Sequence, residues 1–427
     1  MSHCAIERRR KSEDGVALVT VLVFLILIAG LGVVLFSLTR TNSGTIRREE
    51  SVLQALEAAQ TGIVQASFEI ARSADLDAST GVGNVAGLLL DARYQVVATP
   101  LARRHWRLEA VGVAGDIERR LQVVIAPQPT GPFRHAIAAT QTVTLDTSAT
   151  TDSYDSILGS YLSQATRWDL SGRFARRSGS IMSNSDLSLS GSSTRVRGDA
   201  RPGPGISITG DGFATVTGST VSLDQTIDLP HPERSAFESA YLVNDNLFLV
   251  TAPGSDYNPT TGKLRIPEDQ TLELDPGRYF LSGIELESGA RLRVTGETEV
   301  FLTGNLDASL GTIETVSGSP QDLAIVAHPY NVPLIYAPPA NLRIDFQGGS
   351  STALTVYAPK ATIHVTGNLD VYGALIGKHV IGSEVAFHYD EALGFDGSAP
   401  FQPFTPVAWF DKQPVAGVPV LGFLPGH

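Results

Sequence analysis

Residues 13–38, EDGVALVTVLVFLILIAGLGVVLFSL, decide how the fold begins. No charged residue occurs from Val16 to Leu38. An apolar run of about 20 residues is long enough to cross the hydrocarbon core of a bilayer as an α-helix. A cleaved secretory signal has a shorter apolar core, of roughly 7–15 residues, and a small-residue cleavage site that is not evident here. The stretch therefore predicts a membrane-spanning helix rather than a secretory signal peptide.

Basic residues flank this run unequally, with four at positions 8–11 and then Arg40, Arg47 and Arg48 after it. An excess of Lys and Arg marks the cytoplasmic side of a membrane helix. We therefore expect a single-pass protein with its N-terminus in the cytoplasm.

Charge and cysteine content exclude several classes of function. The chain of 427 residues has a net charge of −12 and one cysteine, Cys4. Nucleic-acid binding depends on clustered Lys and Arg, and the tight basic run here flanks the membrane helix. One cysteine cannot form an internal disulfide or a Cys-rich metal site. We expect no nucleic-acid partner and no cofactor.

The helix is predicted to continue beyond the membrane through residues 50–72, ESVLQALEAAQTGIVQASFEIAR. Apolar residues at spacings of four and three lie on one face of a helix. Here they are Val52, Leu56, Ala59, Ile63, Ala66 and Ile70. A run of small residues, which lets another element approach closely, consists of Ala55, Ala59, Gly62 and Ala66. We assign residues 16–72 to one continuous helix.

Three short segments with alternating apolar residues follow, at 93–99, 105–113 and 117–126. Such alternation is typical of strands with one buried face, and the last two segments are joined by AGD, a turn pattern with Gly115. The sequence predicts a small antiparallel sheet within residues 73–130 that packs on the second half of the helix.

The N-terminal quarter of the chain resembles PilX-type type IV pilus assembly proteins in the phrases GVALV (15–19), TRTN (39–42) and LEAAQTGI (56–63). The resemblance implies a leader, residues 1–15, that a prepilin peptidase cuts between Gly15 and Val16, with Val16 then methylated. It also implies a bacterial inner-membrane protein that enters a filament with other pilin or pseudopilin subunits.

One position distinguishes this helix from that of a major pilin. Major pilins carry a glutamate five residues into the mature helix, where this chain has Thr20. A buried carboxylate is tolerated only when paired, and in pilins its partner is the N-terminal amine of a neighbouring subunit. The absence of the glutamate implies a minor subunit. The residues expected to lie in the membrane or filament core are Val16, Thr20, Leu38, Leu56 and Ile63.

A short phrase recurs in the second half of the chain, in which an alternating strand ends in Ser or Thr followed by Gly. Examples are LSLSGS (187–192), ISITGD (206–211), YFLSGI (279–284), VFLTGN (300–305) and IHVTGN (363–368). Short strands with regular turns are typical of a parallel β-helix, whose stacked rungs build one core. VFLTGNLD and IHVTGNLD are offset by 63 residues, which would be three rungs of 21. A β-sandwich is the alternative.

We place the β-helix at residues 131–393, with an excursion at about 229–262 where proline and an aromatic helix pattern replace the strand phrase. The phrases LDPGRYFLSG (274–283) and FHYDEAL (387–393) resemble an uncharacterised right-handed β-helix domain that follows PilX-like N-termini. That resemblance implies architecture and location but no activity. The tail, 394–427, is rich in proline and aromatic residues, and we interpret it as a strap along the β-helix. The alternative is a sticky patch for a partner.

The predicted fold is therefore mainly β with a long N-terminal α-helix. A pilin-like helix and small antiparallel sheet come first, and a right-handed parallel β-helix follows.

Among candidates for chemistry, His388, Asp390 and Glu391 form a polar cluster in the phrase HYDE, with His364 and His379 as further candidates nearby. Histidine and carboxylates can bind a divalent metal, but we favour a role in satisfying the exposed end of the last rung. Asp307 and Asp370 occupy equivalent places in the repeat and would lie roughly 14 Å apart, too far for the carboxylate pair of a glycosidase. No nucleophile elbow, zinc motif or phosphate-binding loop occurs in the sequence.

These patterns predict a structural protein rather than an enzyme: a minor pilin or pseudopilin-like subunit of a type IV pilus or related secretion filament. Its β-helix would be displayed in the periplasm or at the cell surface to bind a surface, a glycan or cargo. The expected partners are the inner membrane, prepilin peptidase and other pilin subunits. The alternative is a membrane-anchored β-helix enzyme that acts on polysaccharide.

Overall fold

The computed structural model describes residues 4–72, 82–101, 105–127, 131–169, 172–332, 338–348, 351–395 and 404–412. The chain divides into two compact units. The helix–sheet unit consists of residues 1–128 and 399–427, and the strand-stack unit consists of residues 129–398.

The helix–sheet unit begins with α1, Cys4–Arg72, a single helix of 69 residues. Four strands follow it: β1 (Val85–Leu89), β2 (Ala92–Pro100), β3 (Trp106–Ala114) and β4 (Ile117–Pro127). The strands β2, β3 and β4 correspond to the three predicted segments and pair antiparallel, with Gly115 at a φ of 60° in the last turn. The sequence patterns did not predict β1, which pairs antiparallel with β2.

The second half of α1 packs on this sheet through small and apolar side chains. The buried residues on this face include Ala55, Ala59, Ile63, Ala66 and Ile70, and Gly62 is buried among them. Close approach depends on glycine in the sheet as well, because a Cβ on Gly112 would lie 1.9 Å from the carbonyl oxygen of Ala55. The helix backbone therefore lies directly against β3.

The strand-stack unit is built from short strands and a few short helices. Its first half contains β5 (Ile137–Asp146), β6 (Thr150–Tyr154), α2 (Tyr161–Gln164), β7 (Arg167–Asp169), β8 (Gly172–Phe174), β9 (Ile181–Ser183), β10 (Leu187–Leu189), β11 (Arg195–Val196), β12 (Ala200–Arg201), β13 (Thr209–Gly210) and β14 (Thr215–Val216). Its second half contains α3 (Arg234–Leu242), α4 (Asn246–Leu249), β15 (Asp256–Asn258), β16 (Lys263–Ile266), β17 (Thr271–Leu274), β18 (Gly277–Leu281), β19 (Gly283–Leu286), β20 (Arg291–Val294), β21 (Thr298–Leu302), β22 (Leu306–Ala308), β23 (Thr312–Thr315), β24 (Leu323–Ala327), β25 (Arg343–Gln347) and β26 (Ser351–Asp390). Three 3-10 helices, Ser156–Leu158, Pro320–Asp322 and Glu391–Gly394, lie between or after these elements.

Most of these strands pair in parallel with strands from the next turn of the chain. One series is β16, β19, β22 and β25, a second is β18, β21 and β24, and a third is β17, β20 and β23. Leu264 pairs with Ile284, twenty residues later. Buried Leu, Ile and Val side chains from all three series form one core. A long helix followed by a β-rich body is therefore confirmed.

The strands do not stack in the order of the sequence. β5 pairs with β26 on one edge and with β9 and β10 on the other. β6 likewise pairs with the end of β26 and with β11. The chain therefore enters this unit in the middle of the stack, runs to one end through β13 and β14, and returns from β16 to β26.

The 63-residue match is not an offset of three rungs. Val300 pairs with Ile325, which pairs with Val356, whereas Ile363 pairs with Ile344 in a different series. Inserted segments such as the 3-10 helix Pro320–Asp322 lengthen the later turns of the chain. A fixed spacing along the sequence is therefore lost, although the parallel pairing continues.

The segment predicted as an excursion, 229–262, contains α3, α4 and β15. Phe237 of α3 is buried against Phe280 and Phe301 of β18 and β21. Leu249 of α4 is buried in the main core, and β15 pairs antiparallel with β16. The segment therefore covers the stack with apolar side chains and adds no further parallel strand.

The tail contributes a strand to the other unit. This strand, β27 (Phe404–Lys412), pairs antiparallel with β4 and completes a sheet of order β1-β2-β3-β4-β27. The interpretation of the tail as a strap along the β-helix is therefore wrong for these residues. The register shifts between Pro406 and Ala408, as is usual for a proline in an edge strand. The strand-stack unit thus lies, in sequence, between the fourth and fifth strands of this sheet.

Candidate functional site

The first half of α1 presents an apolar surface that the described part of the chain does not cover. Its large apolar side chains from Val21 to Leu38 are between 49% and 71% exposed. By length and composition, α1 is the one described helix that is suited to crossing a membrane, and its most apolar stretch has a mean hydropathy of 3.0. Water is a poor solvent for such a surface, so lipid or other helices are its expected surroundings.

The residues predicted for membrane or filament contact differ in their burial. Leu38 is exposed, Leu56 is half-buried beside the sheet, and Ile63 is 4% exposed within the core of the helix–sheet unit. Ile63 therefore stabilises this unit from inside. The backbone of Gly15, Val16 and Thr20 lies in α1, and their side chains are outside the described part of the structure. The cleavage site and the role of Thr20 stay predictions.

The second candidate site surrounds His388, near the end of β26. His388 is 7% exposed, and its Nδ1 atom lies 2.5 Å from Oδ1 of Asp152 in β6. Its Nε2 atom lies 3.7 Å from Oδ1 of Asp370. Tyr161 donates a hydrogen bond of 2.8 Å to the other carboxylate oxygen of Asp152. His388 is therefore held between two carboxylates.

The surroundings of His388 favour its charged form. Burial lowers the pKa of His388, but its hydrogen bond with Asp152 and the negative charges of Asp152 and Asp370 outweigh this effect, so that the pKa is raised above its usual value. The imidazole centroid also lies 4.0 Å from the ring of Tyr161 and 4.8 Å from the ring of Tyr372. Aromatic faces attract a cation, so the stacked tyrosines add to the stabilisation of the imidazolium.

Glu391 belongs to a neighbouring ion pair. Nη1 of Arg176 lies 2.6 Å from Oε2 of Glu391 and 3.7 Å from Oδ2 of Asp155. Ser153 donates a hydrogen bond of 2.8 Å to the second oxygen of Glu391. The arginine therefore connects the segment after β6 with the segment after β26.

Asp390 is fully buried where β26 ends. Its Oδ1 atom accepts hydrogen bonds from the backbone N–H groups of Ser156 and Ala392, at 2.9 and 3.0 Å. Burial raises the pKa of this carboxyl group. Because Ala386–Asp390 pair with β6, the expectation that the cluster satisfies an exposed end of a last rung is wrong. The cluster instead joins the last strand of the unit to its first strands.

The other predicted histidines lie elsewhere. Nδ1 of His379 is 2.7 Å from Oγ1 of Thr142, and Nδ1 of His364 is 3.2 Å from Oδ1 of Asp345. Across the residues that the structure describes, no group of three or more His, Cys, Asp or Glu side chains is arranged to hold a metal ion. These two histidines therefore contact partners other than those of His388.

Asp307 and Asp370, which the repeat places in equivalent positions, are not equivalent in the structure. Asp307 pairs with Asp345 in the parallel register of β22 and β25, whereas Asp370 belongs to the surroundings of His388. The two residues differ because the later turns of the chain are longer and no longer repeat at a fixed spacing along the sequence. A separation calculated from the repeat therefore does not apply to this pair.

A cleft of about 570 Å³ opens beside the His388 cluster. Its described lining comes from the segments 154–162, 314–321 and 351–353, together with Tyr372. The tyrosines that line it are Tyr154, Tyr161 and Tyr372. Neither His388 nor Asp152 is among the described residues of the lining. The cleft therefore adjoins the charged cluster without containing it.

Asp152, Tyr161 and Arg176 are members of this site that the sequence patterns did not identify. Asp152 precedes its partner His388 by 236 residues, and the two meet because β6 pairs with β26. The phrase YDSILGSY (154–161) is distinctive, but no spacing in the sequence connects it with FHYDEAL. Only the order of strands in the stack brings the two phrases together.

Comparison with known proteins gives a family match over part of the chain and matches to six chains of solved structures. The model of a domain of unknown function, DUF7305, matches residues 282–394. No curated protein matches the chain. The competence-associated pilin ComZ from Thermus thermophilus is 13% identical, with 85% of this chain and 97% of that chain covered and a TM-score of 0.29.

Two further similar structures are ice-binding proteins. The glycosylated protein from an Arctic yeast is 11% identical, with 62% of this chain and 94% of that chain covered and a TM-score of 0.27. The protein from the Antarctic ascomycete Antarctomyces psychrotrophicus is 11% identical, with 62% of this chain and 98% of that chain covered and a TM-score of 0.21.

Proposed function

We propose that this protein is a minor pilin or pseudopilin-like subunit of a type IV pilus or related secretion filament. The observation that carries the proposal is α1, which is apolar and exposed from Val21 to Leu38 and packed on an antiparallel sheet from Ala55 onward. Lipid would cover the exposed half before assembly, and neighbouring helices would cover it afterwards. One helix thus serves in both the inner membrane and the filament.

We further propose that the strand-stack unit is a parallel β-helix displayed in the periplasm or at the cell surface. Parallel pairing at offsets near twenty residues and one continuous core support this architecture. Parallel crossovers are almost always right-handed, which supports a right-handed β-helix. Its outward side chains would bind a surface, a glycan or cargo.

Sequencing of the N-terminus tests the filament proposal. The chain is expressed in bacterial cells with and without an active prepilin peptidase, and the membrane fraction is sequenced. We expect Val16 as the first residue with the peptidase and Met1 without it, and Gly15→Leu should leave the leader uncut. An intact Met1 terminus under both conditions would overturn the proposal.

Incorporation into a filament is measured separately. Filaments sheared from cells are probed for this chain by immunoblotting, with a strain that lacks the pilus assembly ATPase as the control. We expect the chain in the sheared fraction of assembling cells alone. Its equal recovery from both strains would show release without assembly and would contradict the proposal.

The alternative, an enzyme that acts on polysaccharide, is favoured by the charged cluster beside a cleft. We propose instead that the cluster is structural, because His388 and Asp152 are buried and hydrogen-bonded to each other. The test is the release of reducing ends from neutral and acidic polysaccharides by the purified chain. We expect no release. Release that disappears in a folded His388→Gln variant would replace our proposal with the enzyme.

A further inference from the structure

Two hydroxyl groups in the cleft beside His388 are buried without a hydrogen-bond partner among the described residues. Thr315 is 8% exposed and Thr352 is 4% exposed, and the Oγ1 atom of each lacks a partner. Tyr154, which is 3% exposed, lines the same cleft. Buried polar groups in proteins are nearly always hydrogen-bonded, so two unpartnered hydroxyl groups in one cleft indicate a partner from outside the chain.

The charge of the cleft limits which partner fits. In its described lining, Glu314 is the one charged side chain, and the remaining polar side chains there are hydroxyl and amide groups such as Ser319 and Gln321. Burial raises the pKa of Tyr372 to about 12, so that its hydroxyl stays neutral and can donate. The carboxylate of Glu314 pairs with Arg293, 3.8 Å away and outside the described lining, so the lining itself offers no cation to an anionic ligand. The cleft therefore suits an uncharged ligand rich in hydroxyl groups.

The aromatic residues narrow the ligand class further. Tyr154, Tyr161 and Tyr372 line the cleft, and so do Ile157 and Leu162, which are 47% and 66% exposed. A sugar ring offers apolar C–H faces to such side chains and hydroxyl groups to the polar side chains of the lining. The volume of about 570 Å³ lies within the range of small-molecule sites, roughly 300–1,000 Å³.

We propose that this cleft binds a short segment of an uncharged polysaccharide, with Thr315 and Thr352 hydrogen-bonded to its hydroxyl groups. The biological role of this binding rests on the proposed function, in which the strand-stack unit is displayed in the periplasm or at the cell surface. Binding itself is a property of the cleft, and it is measured without a filament.

Calorimetric titration tests the ligand class. The full chain is purified in a detergent without a sugar headgroup, since a glycoside detergent would compete for the cleft. Cellohexaose, maltohexaose and chitohexaose are the uncharged probes, and hexagalacturonate is the anionic probe. We expect saturable binding of at least one uncharged hexamer and none of hexagalacturonate.

Substitutions of the two threonines test the site. Thr315→Val and Thr352→Val keep the shape of the side chain and remove its unpartnered hydroxyl. Each should weaken binding about tenfold, because one hydrogen bond to the sugar is lost. The unfolding temperature should stay unchanged or rise, because a buried unsatisfied group is removed. Ser255→Ala is the matched control, since Ser255 Oγ also lacks a partner among the described residues but lies outside the cleft.

Three results would overturn the proposal. If no uncharged hexamer binds the folded chain at millimolar concentration, the cleft holds water alone. If hexagalacturonate is the sole ligand, the proposed class is wrong. If both valine variants bind like the unchanged protein, binding occurs elsewhere. Thr352→Val should enter filaments to the same extent as the unchanged chain. If neither chain enters filaments, the filament proposal fails, and the proposal that the cleft binds polysaccharide is unaffected.

Discussion

His388 and Asp152 are both almost fully buried, and the distance between Nδ1 and Oδ1 is 2.5 Å. Removing one partner of a buried ion pair costs about 3–5 kcal/mol, because the remaining charge has no compensation. This pair links β6 with β26, and both strands belong to the middle of the stack. A single residue therefore affects how the first and last strands of the unit hold together.

The raised pKa of His388 predicts a pH-dependent stability. The charged imidazole stabilises the fold fully below about pH 6.5, its usual pKa, and this contribution is lost as the pH rises through the higher pKa of the folded state. We expect the amides of β6 and β26 to lose protection as the pH rises above about 6.5. Hydrogen exchange with mass spectrometry, corrected for the intrinsic rate, measures the loss.

The variant His388→Gln should be less stable by about 3 kcal/mol at acidic pH and should lack this pH dependence. His379→Gln is the matched control, because His379 is hydrogen-bonded to Thr142 and does not contact Asp152. The control should keep the pH profile of the unchanged protein. If the stability of His388→Gln depended on pH in the same way as that of the unchanged protein, a group other than His388 would cause the pH dependence.

At the scale of elements, the contact between α1 and β3 depends on Gly112. A side chain here would place its Cβ 1.9 Å from the carbonyl oxygen of Ala55, so the helix would have to move away from the sheet. We expect Gly112→Ala to destabilise the helix–sheet unit by about 1–3 kcal/mol. Faster hydrogen exchange in α1 from Ala55 to Ile70 is the measurement.

Val111→Ala is the comparison for Gly112→Ala, because Val111 is half-buried on the alternate side of the same strand. This variant should leave the exchange of α1 close to that of the unchanged protein. Similar losses of protection in both variants would mean that the strand, rather than the close helix contact, is the sensitive feature.

The edge strand β27 gives a second prediction at this scale. A chain that ends at residue 403 lacks β27, so one edge of β4 loses its hydrogen bonds. Amides of β4 should then exchange at least about tenfold faster, while β26 is unaffected. A chain that ends at residue 412 is the control and should exchange like the full chain. Unchanged protection of β4 in the shorter chain would contradict the pairing.

The sequence predicted α1 and the strands β2 to β4 because their periodicity is contained within each segment. It did not predict β27, whose partner β4 lies on the other side of the strand-stack unit in the sequence. The cluster was recognisable from HYDE, but its partners Asp152 and Arg176 come from distant turns of the chain. Local patterns carry no information about which turn lies next to which.

At the scale of the whole molecule, the order of the strands makes the middle of the stack more important for the stability of the strand-stack unit than its ends. Val143 of β5 is fully buried and pairs with both β26 and β10, whereas Val216 of β14 is half-buried and pairs with β11 alone among the described strands. Val143→Asp places an unpaired charge in the core, at a cost of several kcal/mol. We expect this variant to unfold the strand-stack unit.

Val216→Asp is the matched substitution at the end of the stack and should loosen β13 and β14 alone. Limited proteolysis with mapping of the cut sites distinguishes the two outcomes. Cuts throughout residues 137–390 are expected for Val143→Asp, and cuts confined to about residues 205–225 for Val216→Asp. The same cut pattern in both variants would contradict an order in which β5 lies inside the stack.

The position of β27 also has a consequence for biosynthesis. The 276 residues from 128 to 403 are translated between β4 and the strand that covers its edge. At about 5–20 residues per second, the edge of β4 stays open for roughly 14 to 55 s on the ribosome. An open strand edge is a template for pairing with other chains. Chains whose synthesis stops early keep this edge exposed, so chaperones and proteases can distinguish them from complete chains.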